Sequence, residues 1–169
     1  FPDGLVPGQE LPMGPIVTPT TKALDGHDQE LSPASAKVLV DSRVGAGTWD
    51  RVHWAALAIF ERASQHCVAR GVLIADTKME FGVDDQGHIM LIDEVLTPDC
   101  SRFFRRDGTS FEPEKDTLVK WLAEKNFTGQ GAVPTVDPLI KEKMFAAYYK
   151  PYVTITENTS IAQAADYPG

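Results

Sequence analysis

The 169-residue sequence has few cysteines, no long apolar run and no excess of basic residues. Its two cysteines, Cys67 and Cys100, are too few for the disulfide framework of a small secreted domain. No apolar stretch approaches the length of a membrane span. The net charge of −8 at pH 7 opposes non-specific binding to nucleic acid or to an anionic membrane surface. We therefore expect an intracellular, cytoplasmic protein whose partners are neither nucleic acid nor membrane.

Several familiar site motifs are also missing. The GAG stretch at 45–47 lacks the third glycine and the preceding strand of a dinucleotide site, and the glycine-rich phosphate loop that ends in Lys-Ser/Thr does not occur. The histidines do not show the spacing of zinc ligands. Cys100 has no candidate base near it in sequence, so we interpret it as a bystander and not as a nucleophile. Any phosphate site must therefore be built locally from other groups.

The length fits one domain with a substantial core. Residues 1–31 are rich in proline and lack periodicity, so they are predicted to be a loop-rich segment, and 156–169 a C-terminal tail. Between them, 32–155 are predicted to form an α+β lobe with an antiparallel, hairpin-based sheet and packed helices. Apolar periodicity and capping residues predict helices over 34–40, 49–70, 114–125 and 138–153, the first capped by Ser32.

Two adjoining strands are predicted within 71–96, and four of their charged residues are expected on one face: Asp76, Lys78, Glu80 and Asp93. Because side chains alternate along a strand, Asp76, Lys78 and Glu80 should share one face. Residues that lie opposite each other in a hairpin have numbers with a constant sum, and an even-length loop here makes that sum 171. Lys78 would then lie opposite Asp93 on the same face. Carboxylates gathered so closely indicate a divalent metal beside an anionic substrate. A solvated strand face with ion pairs is the alternative.

Two loops carry further polar groups. Ser101 and Arg102 follow the charged strand, and a hydroxyl next to a forked guanidinium makes a compact phosphate grip. Lys22 and Asp28 lie in the loop-rich first segment, which shows no helix or strand periodicity that would account for their presence. A solvated loop is the alternative in both cases.

These segments together resemble the SAICAR synthetase family, the phosphoribosylaminoimidazole-succinocarboxamide synthases of purine biosynthesis. The resemblance covers about residues 10–155. It is carried by TPTTKA at 18–23, GHD at 26–28, LS at 31–32, IADTKMEFG at 74–82 and IDEVLTPDCSRF at 92–103. Cys100 stands where the family usually has serine or glycine, and Phe104 stands where tryptophan is common. Neither difference removes a charged group.

The resemblance implies an ATP-dependent ligase that joins the ribonucleotide CAIR and L-aspartate, with ATP and Mg²⁺ as cofactors. It implies that Glu80 and Asp93 bind Mg²⁺ and that Asp76 and Lys78 contact the CAIR imidazole and carboxylate. It further implies that Ser101 and Arg102 bind the CAIR phosphate. Lys22 would contact the nucleotide and would take part in catalysis together with Asp76 and Lys78. Asp28 would lie at the substrate end.

The family's N-terminal lobe, with its glycine-rich Gly-Lys-x-Arg stretch and an Arg-Gly-Ser-like substrate segment, has no counterpart in the sequence. The chain is therefore expected to be the C-terminal portion of such an enzyme and to need that lobe as a partner. Two other interpretations stay open. One is a non-enzymatic module that binds a nucleotide phosphate or a protein, and the other is a different ATP-using enzyme of the same fold.

Overall fold

A computed structural model describes residues 10–23, 27–109 and 116–157. Gly26 of the GHD motif and most of the predicted C-terminal tail lie outside these ranges. Within them, none of the helices is both long enough and apolar enough to cross a membrane. The division into a loop-rich segment, a lobe and a tail stays a prediction.

Within the described ranges, four helices occur where the sequence predicts them. Ser32 caps the first helix, since its Oγ accepts a hydrogen bond of 3.1 Å from the Ser35 N–H, and Pro33 occupies the first turn. The second helix is followed by Gly71 in the left-handed conformation, with φ of 76°. The bounds are α1 Pro33–Val44, α2 Thr48–Val68, α3 Asp116–Glu124 and α4 Pro138–Thr156.

Four strands form two separate antiparallel pairs in the described part of the chain. Strand β1 pairs with β4, and the hairpin partners β2 and β3 pair with each other. The strands are β1 Val72–Thr77, β2 Glu80–Val83, β3 Ile89–Ile92 and β4 Ser101–Arg105. Helices combined with small antiparallel sheets confirm the predicted α+β class.

The predicted hairpin register is wrong by one residue. Glu80 lies opposite Ile92 and Val83 opposite Ile89, so paired numbers sum to 172 and not to 171. The cause is a loop of odd length, because the Asp84 N–H donates to the His88 carbonyl at 3.0 Å across the three residues 85–87. Gly87 takes the left-handed conformation, with φ of 82°, as three-residue hairpin loops require.

The predicted continuous charged strand is also wrong. It is interrupted at Lys78 and Met79, and β1 pairs with β4 instead of with the residues after His88. The Lys78 N–H donates to the Cys100 carbonyl at 2.7 Å, which extends the β1–β4 pairing past Thr77. Lys78 is therefore not the strand partner of Asp93.

The chain divides into two compact units. The first comprises residues 1–63 and 79–94 and contains α1, most of α2 and the β2–β3 hairpin. In it Lys37 of α1 bonds Asp41 at 3.1 Å and Asp50 of α2 at 2.6 Å. The Asp41 carboxylate accepts the Trp49 N–H at 2.9 Å, and this bond is the main reason that its pKa is lowered. These contacts fix the junction of α1 and α2.

The second unit comprises residues 64–78 and 95–169 and contains the end of α2, the β1–β4 pair, α3 and α4. Its buried cluster consists of Cys67, Val72 and Phe103, with Ile74 and Ile155 packed against it. Val72 is completely buried. This cluster joins α2, both strands and α4, and it supports the strand pair that carries Asp76 and Arg102.

Candidate functional site

Asp76 of β1 and Arg102 of β4 form a forked ion pair. The Arg102 Nε–H donates to Asp76 Oδ1 at 2.8 Å and an Nη2–H donates to Oδ2 at 2.5 Å. The two residues lie directly opposite each other in the strand register, which brings their side chains together. Both side chains are more than half exposed, so the pair faces solvent and is accessible to an anionic ligand.

Ser101 occupies a buried position at the start of β4. Its hydroxyl donates to Thr77 Oγ1 at 2.8 Å, and Thr77 is its partner in the strand register. The hydroxyl hydrogen of Ser101 is therefore directed to Thr77. Ser101 and Arg102 are consecutive residues of β4, so their side chains lie on opposite faces of the strand, with Ser101 buried and Arg102 exposed. A change in hydroxyl direction alone therefore does not bring Ser101 to a phosphate bound at Arg102.

Cys100 lies among three hydroxyl groups. Its Sγ is 3.5 Å from Thr97 Oγ1, 3.5 Å from Ser101 Oγ and 3.7 Å from Thr77 Oγ1. Burial of the thiol raises its pKa, but hydrogen bonds with Ser101, Thr97 and Thr77 outweigh that effect, so the net pKa is lowered. Burial raises the pKa of the second thiol, Cys67. The two cysteines therefore differ in chemical character.

Lys22 forms an ion pair with Glu80 at the start of β2. The Glu80 side chain is only 13% exposed, whereas that of Lys22 is 74% exposed. The structure thus brings together two of the predicted site residues that are 58 positions apart in sequence. A mostly buried carboxylate beside an accessible ammonium is suited to a site that takes up phosphate groups and a cation.

Asp28 stabilises the loop that carries Lys22. Its Oδ1 accepts the Ala23 N–H at 2.8 Å, and Thr20 and Glu30 form an isolated antiparallel bridge on either side. Asp28 is exposed and holds the backbone near Lys22. This geometry adds a structural role to the predicted one at the substrate end.

Asp93 directly follows β3 and has a φ of 63°, which is uncommon for a residue other than glycine. Because Glu80 pairs with Ile92, Asp93 is the next residue beyond that pair, at the same end of the hairpin. The predicted parity argument fails, since the register places Glu80 and Asp93 on opposite sides of a regular ladder. The left-handed backbone at Asp93 departs from the pleat, so parity does not decide where its carboxylate points.

The donor set at this end of the hairpin fits Mg²⁺ in its chemistry. The described residues contain no group of three or more His, Cys, Asp and Glu side chains that could hold a metal ion. Mg²⁺ does not need such a group, because it commonly takes one or two carboxylates and completes its shell with water and phosphate oxygens. Glu80 and Asp93 offer that number of carboxylates at neighbouring positions.

The predicted site residues thus fall into two sets. Asp76, Lys78, Ser101 and Arg102 belong to the second compact unit, and Lys22, Asp28, Glu80 and Asp93 belong to the first.

Two contacts lie outside the sequence-based site prediction. Thr77 accepts the Ser101 hydroxyl, and Tyr148 of α4 donates its phenol hydrogen to Asp99. Strand pairing between β1 and β4 would have pointed to Thr77, but local sequence carries no signal for a contact between Tyr148 and Asp99, which are 49 residues apart.

The α+β fold and these polar residues can be compared with known proteins. The sequence profile of the SAICAR synthetase family matches residues 1–136. The phosphoribosylaminoimidazole-succinocarboxamide synthase of Chromobacterium violaceum is 36% identical over 156 residues, which cover 88% of this chain and 52% of that protein.

Solved structures give the same relationship. The SAICAR synthase of Saccharomyces cerevisiae, complexed with SAICAR, matches with a TM-score of 0.68 and 34% identity over 93% of this chain and 51% of its own. A SAICAR synthetase in complex with ADP matches with a TM-score of 0.64 and 28% identity over 91% of this chain and 55% of its own. The chain belongs to the SAICAR synthetase family. It spans about half the length of the relatives that it matches.

Proposed function

We propose that this chain forms part of a cytoplasmic, ATP-dependent ligase that joins CAIR and L-aspartate to give SAICAR, ADP and phosphate. The observation that carries the proposal is the forked guanidinium of Arg102, paired with Asp76 on the exposed face of a strand pair in a member of the SAICAR synthetase family. A guanidinium fork is the side chain best suited to bind a ribonucleotide phosphate.

The chemistry explains why such a protein needs many charged groups. A carboxylate resists attack by an amine until one of its oxygens becomes part of a good leaving group. In the proposed reaction a CAIR carboxylate oxygen bonds to the γ-phosphorus of ATP and ADP leaves. The aspartate nitrogen then bonds to the acyl carbon, phosphate leaves with that oxygen, and the nitrogen loses a proton. Positioning of polyanionic reactants dominates this kind of catalysis.

In this proposal the second unit binds CAIR. Arg102 and Ser101 contact its phosphate, while Asp76 and Lys78 contact its imidazole and carboxylate. An exposed ion pair contributes only about 0–1 kcal/mol to stability, so a phosphate dianion can compete with Asp76 for the guanidinium. Ser101 is buried on the other face of β4 and donates to Thr77, so its proposed contact with the same phosphate requires the start of β4 to move.

The first unit, in the same proposal, serves the nucleotide. Glu80 and Asp93 hold Mg²⁺, which when bound neutralises charge on the phosphate groups. Lys22 brings its ammonium to the transferred phosphoryl group, and Asp28 holds the loop that carries Lys22 and approaches the substrate end. Lys22 already lies against Glu80, which supports assigning both residues to one centre.

The N-terminal lobe of the family fold is the proposed partner of this chain. Because the chain covers about half of its relatives, we propose that turnover requires the N-terminal lobe in addition to these residues. Losing one wall of an ATP cleft removes both the alignment of the reactants and the exclusion of water. The chain alone should release no ADP above background, and addition of the lobe should restore ADP release.

Replacement of Glu80 tests the proposal. In a protein that contains both halves, Glu80→Gln should abolish ATP-dependent SAICAR formation while the unfolding midpoint in urea stays close to that of the parent. Asp85→Asn is the matched control, because it removes an exposed carboxylate from the loop of the same hairpin. Retained turnover with unchanged Mg²⁺ dependence in the Glu80 variant would contradict the metal assignment.

A non-enzymatic phosphate-binding module is the second candidate, favoured by the coverage of only half of each relative. Isothermal titration with CAIR, followed by an assay of SAICAR formation, distinguishes the two. The module would bind CAIR yet produce no SAICAR after the N-terminal lobe has been added, whereas the ligase would produce it.

A further inference from the structure

We infer that Tyr148 of α4 is a positioning residue for the segment between β3 and β4, and that α4 thereby controls how Ser101 and Arg102 meet the substrate. The inference rests on the proposed function for its effect on catalysis. It adds a residue from α4, which lies beyond residues 1–136 matched by the family profile.

The contact itself is a hydrogen bond between a phenol and a carboxylate. The Tyr148 hydroxyl donates to Asp99 Oδ1, and both residues belong to the second compact unit. Bonds of this charge-assisted kind are among the stronger hydrogen bonds of proteins. Tyr148 follows Ala147, which is buried, and precedes Pro151, which is completely buried. The helix is therefore anchored through its buried face and offers Tyr148 as a fixed donor.

The segment that receives this bond has strained backbone. Leu96 has a φ of 58°, a conformation that a branched side chain rarely adopts. Such strain persists only where surrounding contacts over-determine the conformation. Two backbone bonds contribute, since the Cys100 N–H donates to the Thr97 carbonyl at 3.2 Å and its own carbonyl accepts the Lys78 N–H at 2.7 Å. Tyr148 adds a hydrogen bond from α4 to the Asp99 side chain.

Asp99 connects the Tyr148 hydrogen bond to the two proposed phosphate-binding residues, Ser101 and Arg102. Ser101 and Arg102 follow it by two and three residues, and Cys100 between them is bonded to β1 through its carbonyl. Loss of the Tyr148–Asp99 hydrogen bond lets the turn at 97–100 move, and that motion changes the position of Ser101 and Arg102 at the start of β4. The expected effect is on CAIR binding and not on ATP binding.

Amide hydrogen exchange tests the positioning role without any need for turnover. In the full chain, Tyr148→Phe should speed exchange of the Cys100 and Lys78 amides by about five- to tenfold, which corresponds to one hydrogen bond. Tyr149→Phe is the matched control, because it removes the same hydroxyl from the next residue, whose ring stacks on Phe145 at 5.3 Å. Asp99→Asn keeps an acceptor oxygen and should retain slow exchange.

Equal exchange rates in Tyr148→Phe and Tyr149→Phe would overturn the inference. In the enzyme with both halves, Tyr148→Phe should raise the KM for CAIR about fivefold or more and leave the KM for ATP unchanged. Faster exchange with an unchanged CAIR KM would reduce Tyr148 to a structural anchor and also overturn the inference. Absence of turnover in the parent would refute the proposed function alone, because the exchange measurement still decides whether Tyr148 holds the turn.

Discussion

Replacement of Arg102 by lysine separates the two explanations for its pairing with Asp76. Lysine keeps the positive charge but loses the planar fork, so it cannot reproduce the two bonds of 2.8 Å and 2.5 Å. If the pair is merely structural, the substitution should lower stability. If the guanidinium binds a phosphate, the loss should appear mainly in substrate binding.

The structure sets the size of each effect. The Arg102 side chain is 65% exposed and that of Asp76 is 52% exposed, so their pair should contribute less than about 1 kcal/mol to the free energy of unfolding. A two-pronged contact with a phosphate is worth more, because both partners carry charge and their geometry is fixed. Loss of one charge-assisted bond, about 1.5–3 kcal/mol, would raise the KM for CAIR by roughly one to two orders of magnitude.

Urea unfolding and initial-rate kinetics measure the two quantities in a protein that contains both halves of the family fold. We expect Arg102→Lys to shift the free energy of unfolding by less than about 1 kcal/mol and to raise the CAIR KM at least tenfold. Arg106→Lys makes the same chemical change in an exposed residue just after β4 and serves as the control. A clear loss of stability with an unchanged KM would refute the assignment of Arg102 to the phosphate.

Three further predictions concern the backbone, the core and the thiols. Asp93→Gly should keep or raise stability, because glycine accepts a φ of 63° without strain, yet it should abolish turnover; preserved turnover would remove Asp93 from the metal site. Val72→Ala should cost about 2 kcal/mol in urea unfolding, since Val72 is completely buried, and a cost near zero would contradict that packing. Because the Cys100 pKa is lowered and the Cys67 pKa is raised, alkylation of Cys100 by iodoacetamide should persist to lower pH; equal pH midpoints by mass spectrometry would contradict this order.

Local sequence determined the helices well. Ser32 followed by Pro33 marked the start of α1, and the apolar stripe through Val52 and Cys67 marked α2. These signals suffice because capping bonds and helical faces involve residues only a few positions apart. The same reasoning identified the charged residues that could perform chemistry, since ionised groups within an apolar stretch need a reason to be there.

Only the tertiary structure decided which of those residues meet. The odd-length loop 85–87 shifted the β2–β3 register by one residue from the predicted pairing, and side-chain parity changed with it. Pairing of β1 with β4 joined Asp76 to Arg102 across 26 residues, and Tyr148 reached Asp99 across 49. Contacts between such distant residues depend on how the strands and helices pack, and a residue's near neighbours in the chain carry no record of that packing.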